Sequence, residues 1–141
     1  MPFRRFEDID AWQDARKLTK QVYAVSTGWK DFALRDQIRR STVSIMANIA
    51  EGFGRATDGD FARFLEIAQG SAIETASHLY VASDLRYVDQ KTFDSLYEQA
   101  ITINKRIGAL AKYLKQSKAT NPKRPRPRRK STSDERPRTK D

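Results

Sequence analysis

The chain has 141 residues, of which 27 are Lys or Arg and 18 are Asp or Glu, giving a formal charge of +9. It has no cysteine and a single histidine, His78, which excludes disulfides, thiolate chemistry and any multi-histidine metal site. The length suffices for one buried core. No apolar run approaches the ~20 residues of a membrane span, and the opening stretch MPFRRFEDIDAW lacks the apolar segment of a secretory signal. A cytoplasmic protein without a membrane partner is expected.

Between Pro2 and Pro122 there is no proline, which favours long helices. Breaks at Gly28–Asp31, Arg55–Asp60 and Arg86–Asp89 divide this body into four helices, expected near 8–27, 33–55, 59–86 and 89–117. Thr57 with Asp60 forms a capping-box pattern, and Asp89 is placed to cap the last helix.

The first helix carries Trp12, Ala15, Leu18, Val22, Val25 and Trp29. The third carries Phe61, Leu65, Ala68, Ala72, Ala76 and Leu79, flanked by Phe64 and Ile67. In the fourth, Phe93, Leu96, Ala100, Ile103, Ile107, Leu110 and Leu114 alternate three- and four-residue spacings, the seam of a bundle. Four amphipathic helices with short connections predict an all-α, up-down-up-down four-helix bundle over residues 1–118.

The second helix is apolar or small around about two-thirds of its circumference, more than a one-sided helix requires. Leu34, Ile38, Ile45 and Ile49 form one face, with Thr42, Met46 and Phe53 beside it. Val43, Ala47, Ala50 and Gly54 lie further round, and a partner subunit is the simplest cover for them. The remaining arc is a polar stripe of Gln37, Arg40, Ser44, Asn48, Glu51 and Arg55, readable as a solvated face or as a ligand surface.

Residues 119–141 carry nine Lys or Arg against three acids and four of the five prolines, leaving +3 for the first 118 residues. Without Leu, Ile, Val, Phe or Tyr, this tail cannot offset its ordering entropy and is expected to be disordered. Its run Lys123, Arg124, Arg126, Arg128, Arg129 and Lys130 is either a solubilising segment or a phosphate-binding arm.

Catalytic signals are sparse. Gly52-Phe53-Gly54 lacks the Lys-Ser/Thr of a phosphate loop and reads as close helix packing. Glu74 and His78 are spaced for a local pair, Glu66 and Glu74 could pair only through another helix, and Ser41, Ser44 and Ser71 would have to share one histidine. No catalytic residue, metal or cofactor is expected. Nucleic-acid binding is better supported, through Arg39, Arg40, Arg55 and Arg63 in or beside the second helix, with Arg4, Arg5, Lys17 and Lys20 adding charge. Without an RNA-recognition or helix-turn-helix pattern, such binding would be backbone-directed and weakly sequence-selective. Pairing of these arginines with Asp36, Glu51, Asp58 and Asp60 is the competing reading.

The segment Gln37-Ile38-Arg39-Arg40-Ser41-Thr42-Val43-Ser44-Ile45, followed by Asn48-Ile49-Ala50-Glu51-Gly52-Phe53-Gly54-Arg55, resembles the signature of the S23 family, the four-helix-bundle proteins encoded in intervening sequences of 23S rRNA genes. Phe6-Glu7-Asp8-Ile9, Asp60-Phe61, Arg63-Phe64-Leu65 and Ile67-Ala68-Gln69-Gly70-Ser71 extend the likeness over about Phe6 to Leu114. Met46 departs from it where proline is common. The family is more distantly similar to the accessory variability protein of diversity-generating retroelements. What the resemblance implies is a cytoplasmic homo-oligomer, by expectation a homopentamer. It also implies RNA or DNA binding and a reverse transcriptase or other protein partner. A scaffold that docks a protein without touching nucleic acid is the alternative.

Overall fold

The computed structural model describes residues 3–120. A 3-10 turn, Phe6–Asp8, precedes four helices: α1 Asp10–Val25, α2 Phe32–Phe53, α3 Asp58–Asp84 and α4 Gln90–Thr120. Helices adjacent in sequence pack together, α1 closes against α4, and the diagonal pairs do not meet. This is the expected up-down-up-down bundle. No helix among the described residues is long and apolar enough to cross a membrane.

Local chemistry sets the helix ends. The Asp31 carboxylate accepts the Leu34 amide at 3.0 Å, Thr57 Oγ1 accepts the Asp60 amide at 3.1 Å, and Asp89 accepts the Thr92 amide at 2.8 Å. The first helix is shorter than expected at both ends. At its start, residues 6–8 tighten into the 3-10 turn, where Asp8 accepts the amides of Arg4 and Arg5. At its end, Ser26 Oγ turns back to donate to the Val22 carbonyl at 2.7 Å. Trp29 therefore lies in the connection, buried against Tyr87 with ring centroids 5.3 Å apart. Helix α3 stops at Arg86, which takes φ of 63° while the Tyr87 amide reaches the Ala82 carbonyl at 2.8 Å. That is a Schellman closure with arginine where glycine is usual. Helix α4 runs to Thr120, past the expected end at 117; the tail residues 121–141 lie outside the described residues.

The core gathers Leu18 and Val22 of α1, Ile38, Ile45 and Ile49 of α2, Phe61, Leu65 and Leu79 of α3, and Leu96, Ile103, Ile107 and Leu114 of α4, all buried. Leu110, expected on the α4 seam, is half-buried at its margin. Ile67, expected to flank the α3 core stripe, instead faces outward, 44% exposed. Small residues line the contact of α2 with α3. A Cβ on Gly52 would fall 2.7 Å from Phe64 Cβ and 2.9 Å from Phe61 Cδ1, so this glycine sets the approach of the two helices. Gly54 meets nothing of α3 and ends α2 instead, which corrects the pairing of both glycines with close packing inside the bundle.

Candidate nucleic-acid and assembly surfaces

The polar stripe of α2 divides into a half-buried centre and exposed ends. Ser44 and Ser71 of α3 share a hydrogen bond at 2.8 Å, and Asn48 donates from Nδ2 to the Ser44 carbonyl at 2.9 Å. One turn away, buried Ser41 and Thr75 are linked at 2.7 Å. The two hydroxyl pairs fasten α2 to α3, and Asn48 bonds within α2, so the centre of the stripe acts as structure. Gln37 and Arg40 stay exposed.

The four body arginines named from the sequence do not form one cluster. Arg39 folds back over the end of α1. Its Nε donates to Ser26 Oγ at 2.8 Å, its Nη2 donates to the Tyr23 carbonyl at 3.2 Å, and its guanidinium stands 4.5 Å from the Tyr23 ring centroid. It satisfies a carbonyl at a helix C-terminus, where a cation is favoured. Arg40 is exposed and has no hydrogen bond or ion pair among the described residues. Arg55 pairs with Glu51 at 2.8 Å, and Arg63 approaches Asp60 at 3.9 Å. Both guanidiniums stand over Phe64, at 4.6 and 4.9 Å. Such exposed pairs contribute about 0–1 kcal/mol each and open readily to a stronger anion. Asp36, one of the acids considered for these arginines, pairs instead with Arg35.

The outer stripe of α2 is open. Val43 is 43% exposed, Ala47 and Gly54 are exposed, and Ala50 is half-buried. Three large apolar side chains of α3, Ile67, Ile73 and Val81, are also exposed, set among the charged and polar residues of its outward side, and were not anticipated there. Their spacing could have shown this, because α3 carries more large apolar residues than one stripe holds.

The catalytic candidates are locally paired. His78 Nε2 lies 3.3 Å from a Glu74 oxygen, and Glu66 is bonded to Lys115. Ser44 and Ser71 meet each other rather than His78. No cluster of His, Asp or Glu among the described residues could hold a metal ion. A cleft of about 340 Å³ between α1 and α4 also went unread in the sequence; it is lined by Asp14, Lys17, Gln21, Gln99, Thr102 and Arg106 among others. Two contacts bridge it, Arg106 to Asp14 and the Gln99 amide to Gln21 Oε1.

Residues 7–109 match the family described as 23S rRNA-intervening sequence protein. The chain is also similar to a solved structure, a protein of unknown function from the S23 ribosomal protein family of Bacteroides thetaiotaomicron VPI-5482. The two are 26% identical with a TM-score of 0.68, over 72% of this chain and 98% of that one. No curated protein matches.

Proposed function

The chain belongs to the 23S rRNA-intervening sequence protein family, and from that premise we propose that it is a non-enzymatic, cytoplasmic, homo-oligomeric accessory protein that binds RNA or DNA through phosphate contacts. A pentamer is the assembly we assign. The observation that carries the reading is the distribution of charge: nine Lys or Arg against three acids in residues 119–141, joined to a bundle whose Arg40 stands free in solvent. Cations of this kind gain affinity by releasing condensed counterions, so binding is strongly salt-dependent and weakly selective for sequence. Assembly multiplies the charge and focuses it. The outer stripe of α2, Val43 to Gly54, supports assembly, because a lone bundle leaves it in water.

The test is equilibrium binding of a short labelled RNA across a salt series. The full chain should bind below tens of micromolar at low salt, with affinity falling steeply as salt rises. Removing residues 121–141 and reversing Arg40, Arg55 and Arg63 to Glu should weaken binding and lower its salt dependence while the helical content holds. Arg39 is left intact because it closes the end of α1. A full chain without salt-dependent affinity contradicts the reading.

A second reading, a scaffold that docks a protein partner, draws on the exposed Ile67, Ile73 and Val81 of α3. Retained capture of a protein partner by the charge-reversed, tail-deleted chain, with no nucleic-acid affinity in the parent, would favour it.

A further inference from the structure

Net charge does not single out one side of the bundle: α1, α2 and their connection, residues 10–53, hold seven Lys or Arg against five acids, and residues 54–118 hold nine against eight. What differs is placement. Asp14 lines the cleft toward α4, Asp31 caps α2, Asp36 pairs with Arg35 and Glu51 with Arg55.

On the side where α1 meets α2, the cations are interleaved with aromatic rings. Trp12 and Tyr23 are eleven residues apart, which returns them to the same edge of α1, with Arg16 between them near that edge. Phe32, Arg35 and Arg39 follow one edge of α2. The two edges are neighbours: Thr19 meets Met46, and Arg39 reaches Tyr23. Each ring carries a guanidinium: Arg16 stands 5.8 Å from the Trp12 centroid, Arg39 4.5 Å from Tyr23 and Arg35 4.7 Å from Phe32. Tyr23 is 42% exposed and Phe32 59%, the most exposed large apolar side chain described. Lys20 stands exposed between the first two pairs.

Surface phenylalanine has a hydration cost that a core position would avoid. Here the ring is held open beneath a cation. Alternating rings and cations suit a ligand with alternating π-faces and negative charges. Single-stranded nucleic acid has that chemistry. A duplex offers the charges but keeps its base faces stacked inside.

We propose that the α1–α2 face, through Trp12, Arg16, Lys20, Tyr23, Phe32 and Arg35, is a binding track for single-stranded RNA or DNA, with bases stacking on the Tyr23–Arg39 and Phe32–Arg35 pairs. This inference rests on the nucleic-acid reading above and names both the surface and the form of the ligand. The track needs no sequence preference, since every base has a π-face. By helix rise it extends on the order of 25 Å, from Trp12 up α1 to Tyr23 and across to Phe32.

The test uses the full-length protein with labelled oligo-U, oligo-dT and a duplex of equal length and charge per strand. The expected result is tighter binding of either single strand than of the duplex. Y23A with F32A should lose roughly 10-fold in single-strand affinity while the salt slope holds, because stacking is removed and phosphate contacts stay. R16Q with K20Q should lower the salt slope. Both pairs replace exposed or half-buried side chains, so light scattering should return the parental mass. If the full chain binds and these variants bind equally well, the track is refuted and the nucleic-acid reading survives. If the duplex binds as tightly as the single strands, stacking is refuted. If Y23A with F32A changes the mass but not the affinity, the face is a subunit contact and the proposal falls. If the full chain binds no nucleic acid, both readings fall together.

Discussion

Gly52 is a residue whose substitution should be felt immediately. An alanine there would drive a methyl to 2.7 Å from Phe64 Cβ and 2.9 Å from the Phe61 ring. The nearer atom is the root of a side chain and cannot swing away, so α2 and α3 must separate. Overpacking of this kind costs about 1–3 kcal/mol. Gly54→Ala is the control, since the nearest atom to its new Cβ is the helix's own Glu51 carbonyl at 3.5 Å. Urea titration should show the first variant clearly destabilised and the second within about 0.5 kcal/mol of the parent. The sequence showed two glycines in one helix and suggested close packing for both. Only the fold says which one faces a neighbour, because α2 has no marker of where its last turn ends.

At the scale of the element, the helix ends carry identifiable energies. Thr57 caps the start of α3 by accepting the Asp60 amide, and Thr57→Ala should cost about 1 kcal/mol. Arg86 works in the other direction. Its left-handed backbone is a conformation that non-glycine residues adopt at a cost of about 1–2 kcal/mol, so Arg86→Gly should stabilise the chain. Thermal unfolding of the two variants should shift in opposite senses. The Thr92 amide and hydroxyl hold the Asp89 carboxyl below its usual range. Its contribution is therefore complete above about pH 4, the value of an unperturbed aspartate, and is lost as pH falls through the lowered value. The three predicted breaks fall where the caps are because Asp31, Thr57 and Asp89 are short polar side chains just ahead of apolar periodicity. Arg39 was not legible in the same way. A basic residue in a motif reads as a ligand contact, and only the return of α2 past the end of α1 shows it bonded to Ser26 and the Tyr23 carbonyl.

At the scale of the whole molecule, the bundle was legible because four long segments repeat at helical spacing and the connections are too short for other topologies. What covers the outside of α2 was legible only as an excess: more apolar and small residues than one face requires. The structure places that excess at Val43, Ala47 and Gly54, facing solvent, and adds a cationic, aromatic face between α1 and α2. In the function proposed above, the outer stripe of α2 assembles copies of the chain and the assembly holds nucleic acid by its phosphates. Light scattering on the full chain, with and without a short RNA at low and high salt, tests it most directly. The expected result is a mass near five subunits that rises with RNA at low salt alone, while Ala47→Glu falls to a monomer because a charge would be buried unpaired. A monomer indifferent to RNA at every salt concentration would contradict the account.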